Sequence, residues 1–152
     1  MNLDDAIKTF VIESRELLEN MEAALLQVEH SPDDPDLINA IFRAAHTIKG
    51  SAGLFGFDHL VAFTHSAENV LDQVRNGSIQ IDPELIALFL EVCDHIGSLI
   101  DLVDTGADSG EDEQQRSTAL MARLRSIAGL GSAAPQIGHL ETQASPVIRE
   151  AY

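Results

Sequence analysis

The sequence predicts an all-α fold, an antiparallel up-down four-helix bundle with an additional fifth helix on its C-terminal side. Apolar residues recur at steps of three and four through most of the 152 residues, which is the period of an α-helix. No segment has the alternation of polar and apolar residues that is typical of a half-buried strand. Clusters of Pro, Gly, Asn and Asp divide the chain into helical segments with short connections, and such connections favour antiparallel neighbours.

The first two helices are separated by a break that contains two prolines. The first helix is predicted over residues 3–29, with Asp4 and Asp5 at the positive end of its dipole. Residues 31–35 end it and supply a cap for a second helix, which is predicted over residues 36–53. The apolar residues that share one side of the second helix at ~100° per residue are Leu37, Ile41, Ala44, Ile48 and Ala52.

The third and fourth helices each begin with an aspartate. Asp58 is the predicted cap of a third helix that ends at residues 75–77, where an Asn-Gly pair favours a left-handed stop. Asp82 is the predicted N-cap of a fourth helix, since Pro83 suits the first helical position, and an apolar pattern carries this helix to residue 104.

The remaining segment changes character. Residues 105–113 are small, acidic and flexible, which is typical of a solvated loop. A weaker amphipathic pattern predicts a fifth helix over residues 114–128, so that residues 1–128 form the domain. Residues 129–152 lack any period and are predicted to be a flexible linker or a disordered tail.

Composition narrows the class of partner. Acidic residues outnumber basic ones by 25 to 9, and a net charge of −16 repels phosphate backbones and anionic membrane surfaces. We therefore expect no nucleic-acid partner, and no membrane insertion because no segment reaches the ~18 apolar residues of a membrane span. The lone Cys93 has no partner for a disulfide, which fits a reducing, cytoplasmic setting. We expect Cys93 to be a small core residue and the domain to be monomeric.

One side of the second helix is polar and rich in glycine, which is a poor composition for a core. At ~100° per residue, His46 lies ~150° from the centre of the apolar side and is predicted to face water. The glycines leave room for something large to approach it. The residues that share this exposed sector are Phe42, Lys49, Gly50 and Gly53, with Arg43 at its edge.

The third helix is predicted to place polar side chains level with His46 along the helical hairpin. In an antiparallel hairpin, Glu68 lies on the flank of the third helix near His46, and His65 lies on its outer face. A carboxylate that accepts a hydrogen bond from Nδ1 fixes the histidine tautomer and leaves Nε2 as a nucleophile for phosphorus. Lys49 adds a cation beside the developing charge. The other histidines are predicted to be loop, cap or surface residues, and they are His30, His59, His95 and His139.

Three segments carry a resemblance to a known family. Residues 41–53 (IFRAAHTIKGSAG), 55–57 (FGF) and 64–69 (THSAEN) resemble the histidine phosphotransfer domain of CheA-type chemotaxis histidine kinases. The resemblance implies that His46 is phosphorylated, that Glu68 is its hydrogen-bond partner and that Lys49 and His65 support it. The exposed sector of the second helix supplies the predicted docking residues for partners, which are Phe42, Arg43, Gly50 and Gly53. For Phe42 the alternative is packing against the first helix.

The resemblance also implies how the chain is used. A separate histidine kinase catalytic domain, on the same or another chain, would phosphorylate His46 from ATP. Response regulators of the CheY and CheB type would then take the phosphoryl group onto an aspartate. Mg²⁺ would belong to the kinase and regulator sites, so we expect this chain to bind no cofactor and to be a substrate domain without autonomous catalysis.

Three alternatives remain at this point. The chain is a stand-alone phosphorelay protein, a helical interaction module without chemistry, or a metal-binding bundle that uses His46, His65 and Glu68 as ligands. The last is disfavoured because di-metal bundles place inward Glu-x-x-His pairs on several helices, whereas this chain has His-x-x-Glu on one.

Overall fold

The computed structural model describes residues 2–136, with side chains described for residues 2–129. This part of the chain is all-α and has no strand, as predicted. Its five helices are α1 (Leu3–Val28), α2 (Pro35–Phe55), α3 (Asp58–Arg75), α4 (Pro83–Thr105) and α5 (Glu111–Gln136).

The first four helices form the predicted antiparallel bundle. Helix α1 packs against α2 and α4, and α3 closes the bundle by packing against α2 and α4. The start of α1 lies beside the end of α2, since the rings of Phe10 and Phe55 are 5.6 Å apart. Helix α5 packs on the outside, against α3 and α4.

Buried side chains set the rotation of α2. Ile41 and Ile48 are fully buried in a core to which all five helices contribute, including Leu120 and Leu124 of α5. Burying one large aliphatic side chain is worth about 1.5–3 kcal/mol, so turning α2 about its axis would be costly. The opposite side of α2, with His46, is therefore held towards solvent. Cys93 is a buried core residue, as predicted.

The helix boundaries confirm the cap predicted at Asp82 and correct both the predicted end of α2 and the cap predicted at Asp58. Asp82 caps α4, because its carboxylate accepts a hydrogen bond from the amide of Leu85 at 2.8 Å. Helix α2 does not end at Gly53 but continues to Phe55, since the left-handed residue that stops it is Gly56, with φ of 73°. Asp58 is not a cap, because it is the first residue of α3 and Phe57 precedes it.

Helix α5 is longer than predicted at both ends. It begins at Glu111 and continues past residue 128 to Gln136, so the first part of the predicted tail is helical. Three acidic residues in its first turn suit the positive end of the helix dipole, which explains the earlier start. The rest of that tail, with His139, lies outside the described residues.

The prediction of a loop, cap or surface position is wrong for His95, which is fully buried on α4. Its Nε2 lies 2.5 Å from the hydroxyl of Ser117 on α5, and its ring meets the edge of Phe63 on α3. Helix α5 covers this side of α4, whereas a projection of α4 alone places His95 only at the edge of the apolar side, beside Leu88. His30 and His59 are exposed, as predicted.

Candidate functional site

The site lies on the outer face of the α2–α3 hairpin, at mid-height of the bundle. The side chain of His46 is 61% exposed, which agrees with the predicted outward position. On α3, Glu68 points towards α2 and is only 8% exposed. The pair therefore combines an accessible imidazole with a carboxylate that is shielded from water.

Glu68 receives two hydrogen bonds from α2. Nδ1 of His46 contacts Oε2, and the ammonium of Lys49 donates to Oε1. The contact between Nδ1 and Glu68 is the one predicted from the heights of the two residues in the hairpin. Because His46 and Lys49 are one helical turn apart, both donors reach the same carboxylate.

The charge of Glu68 decides the tautomer of His46. Burial by itself raises the pKa of Glu68, but the hydrogen bonds from Lys49 and His46 outweigh it and the pKa is lowered below its usual value. The group is thus an ionised carboxylate at neutral pH, and an ionised carboxylate only accepts hydrogen bonds. Nδ1 must therefore carry the proton, which leaves the lone pair of the neutral imidazole on Nε2.

Phe42 and Arg75 extend the site along the hairpin. The ring of Phe42 is stacked on the imidazole of His46, with centroids 5.8 Å apart and 10° between the planes. The guanidinium carbon of Arg75, in the last turn of α3, lies 4.1 Å from the centre of the Phe42 ring. Sequence reasoning missed Arg75. The antiparallel register was a usable signal, since Arg75 is about two turns after Glu68 and Phe42 about two turns before Lys49.

Open space surrounds the site. A Cβ atom added to Gly50 or Gly53 would meet nothing within 4 Å, so the helix surface beside His46 is free of side chains at both positions. His65 is exposed on α3, one turn before Glu68, and Arg43 is exposed on α2. Of the predicted site residues, the structure brings Phe42 and Lys49 into contact with the central pair and leaves the others on the surface around it.

The described residues include no group of three His, Cys, Asp or Glu side chains that could hold a metal ion. None of the helices in the described part of the chain is long and apolar enough to cross a membrane.

The chain is similar to chemotaxis histidine kinases. It is 46% identical over 101 residues to the chemotaxis protein CheA of Salmonella typhimurium, which covers 66% of this chain and 15% of that protein. It is 35% identical over 127 residues to the sensor histidine kinase CheAY of Helicobacter pylori, covering 83% of this chain and 16% of that protein. The chain thus spans less than a fifth of the length of either relative.

Solved structures match at the level of the domain. The CheA phosphotransferase domain from Thermotoga maritima has a TM-score of 0.65 and 37% identity, over 68% of this chain and 98% of that one. The phosphorylated P1 domain of CheA3 in complex with CheY6 from R. sphaeroides has a TM-score of 0.74 and 27% identity, over 84% of this chain and 98% of that one.

A family model described as the Hpt domain matches residues 5–106, which span α1 to α4 and include the whole site. The chain therefore belongs to the Hpt domain family, and within that family it is a phosphotransfer domain of the CheA type.

Proposed function

We propose that His46 is the phosphorylated residue of this domain, accepting a phosphoryl group from an ATP-dependent histidine kinase domain and passing it to an aspartate of a response regulator. One observation carries the proposal. The Nδ1 atom of an exposed imidazole is engaged by a buried, ionised carboxylate, Glu68, and this leaves the lone pair on Nε2. A surface histidine without such a partner would not be held in one tautomer.

The residues account for each step of the transfer. Nε2 of His46 attacks the terminal phosphorus of ATP in the kinase domain, so that an N–P bond forms while the bond from phosphorus to the ADP oxygen breaks. The attack places positive charge on the imidazole, and the carboxylate of Glu68 balances it through the Nδ1–H bond. An aspartate oxygen of the regulator then attacks phosphorus, the N–P bond breaks, and its electron pair returns to Nε2.

Lys49 and His65 have supporting roles in this proposal. The ammonium of Lys49 holds Glu68 ionised and adds positive charge beside the phosphoryl oxygens. His65 is exposed within one turn of Glu68, where it is available to hydrogen-bond the phosphoryl group.

Two successive partners have to reach Nε2, and the surface suits their approach. The bare helix surface at Gly50 and Gly53 admits the backbone of a partner, with the exposed Arg43 as a docking contact beside it. The structural relative bound to CheY6 supports regulators of the CheY type as acceptors, and CheB-type regulators are proposed as further acceptors on the resemblance to CheA-type kinases alone. We assign Mg²⁺ to the kinase and regulator sites, and the reaction to the cytoplasm because the donor uses ATP.

The test is radiolabelling with a matched CheA kinase core and ATP labelled at the γ-phosphate, followed by addition of candidate regulators. The wild-type chain is expected to take up an acid-labile, alkali-stable label and to lose it to a CheY-type regulator. His46→Gln is expected to abolish labelling while the fold is retained. His59→Gln replaces another exposed histidine, on α3, and is the matched control. Labelling that survives in His46→Gln would contradict the proposal, and so would a wild-type chain that is never labelled.

A further inference from the structure

A side chain whose lone pair must point at a partner has to be held in one orientation, and the imidazole of His46 is largely exposed. With 61% of its side chain exposed, core packing does little to restrain it. The hydrogen bond to Glu68 holds one atom of the ring, Nδ1, and by itself does not set the orientation of the ring plane. The Nε2 lone pair lies in the plane of the ring, so the orientation of that plane decides where Nε2 points.

Phe42 supplies the missing restraint. Its ring is one turn before His46 on the same helix and lies almost parallel to the imidazole, at 10° and 5.8 Å between centroids. Stacked aromatic rings favour this offset arrangement, and a tilt of the imidazole would open the contact to water. The two restraints are complementary, since Glu68 holds an atom in the ring and Phe42 holds the plane.

Phe42 is itself held from α3. Its side chain is half-buried against the core, and the guanidinium of Arg75 lies over its ring at 4.1 Å. A cation in this position is attracted by the face of the ring. Asp72, one turn earlier on α3, has Oδ1 4.0 Å from Nη1 of Arg75, an exposed pair that adds little to this contact.

We propose that Phe42 is a positioning residue that orients the imidazole of His46, and that Arg75 supports it by holding the Phe42 ring. Phe42 acts through the histidine and does not take part in the chemistry. The consequence for phosphotransfer rests on the proposed function, whereas the orientation of the ring does not. Near-attack geometry matters because small misplacements of reacting atoms lower the rate strongly.

The first experiment measures the mobility of the imidazole without any partner. In full chains labelled with ¹³C-histidine, NMR relaxation reports the order parameter of the Cδ2–H bond of His46. Phe42→Leu keeps an apolar side chain but removes the flat ring, and it is expected to lower the order parameter. Phe42→Tyr keeps the ring and is expected to restore it. An order parameter that is the same in Phe42→Leu and in the wild type would overturn the proposal.

The second experiment separates positioning from docking by steady-state phosphorylation with the kinase core. Phe42→Leu is expected to lower kcat about tenfold with little change in KM, and Phe42→Tyr to recover most of the rate. Arg75→Gln is expected to lower kcat about two- to fivefold in the wild-type background and to have no further effect when Phe42 is already Leu. A rise in KM with unchanged kcat would reduce Phe42 to a docking residue and overturn the proposal. Failure of the wild-type chain to be labelled would reject the proposed function instead, and the NMR measurement would still decide the orientation.

Discussion

Replacing Glu68 with glutamine tests the centre of the site, because it removes the negative charge and keeps the size of the side chain. In the wild type, one oxygen accepts from Nδ1 of His46 and the other from the ammonium of Lys49. A glutamine has one acceptor oxygen, and its amide nitrogen is a donor. Either the ammonium of Lys49 then faces the amide N–H donor, or the imidazole moves its proton to Nε2 and accepts from the amide through Nδ1, which removes the lone pair from Nε2.

The size of the effect follows from burial. The Glu68 side chain is 8% exposed and that of Lys49 is 24% exposed, so water replaces the lost partner poorly. Hydrogen bonds to charged groups are worth about 1.5–3 kcal/mol, and we expect the free energy of unfolding to fall by about 1–3 kcal/mol. The hydrogen bond from Nδ1 of His46 to Glu68 also balances the positive charge that develops on the imidazole during attack. At 1.36 kcal/mol for each factor of ten, its loss should slow phosphorylation by about one to two orders of magnitude.

The assay is single-turnover labelling by the kinase core, with urea unfolding and circular dichroism on the same samples. Glu91→Gln is the matched control, since Glu91 pairs with Arg123 at 3.1 Å with both side chains about half exposed. Such a pair is worth about 1 kcal/mol or less, and labelling should be unchanged. A Glu68→Gln chain that keeps its helicity and is labelled at the wild-type rate would refute the reasoning, because tautomer control by Glu68 would then be unnecessary.

Three further predictions concern stability and clearance. Burial lowers the pKa of His95, an effect that nearby Glu113 opposes, so below pH ~6.5 the unfolded chain binds a proton that the folded chain does not. As the pH is lowered from ~6.5 towards the folded pKa, His95 should therefore lower the free energy of unfolding by at most about 1.4 kcal/mol per pH unit. Urea titrations of His95→Gln at several pH values should lack this slope. An identical slope in the variant would contradict this origin. Gly50→Ala should raise the free energy of unfolding by about 0.5–1 kcal/mol, since its Cβ meets nothing within 4 Å. Gly50→Leu should remain folded but transfer more slowly by obstructing the partner, and wild-type transfer would show that clearance at Gly50 is not needed.

Features that depend on neighbours along the chain could be predicted well. The helical period places Ile41 and Ile48 inside and His46 outside, because a regular helix fixes the angle between its own residues. Asp82 was identifiable as a cap, since capping involves residues within one turn. The contact between His46 and Glu68 followed from the register of a single hairpin.

Features that depend on what covers a surface were decided by the tertiary structure. His95 is buried because α5 lies over α4, whereas the pattern of α4 alone places it only at the edge of the apolar side, beside Leu88. Arg75 reaches Phe42 only through the packing of α3 on α2. Glu68 stays ionised although buried, because two donors from another helix converge on it. The sequence by itself thus determined that His46 faces solvent beside Glu68. The packing of separate helices decided that Glu68 is buried and ionised and that Arg75 reaches Phe42, since burial and electrostatics depend on distances in space.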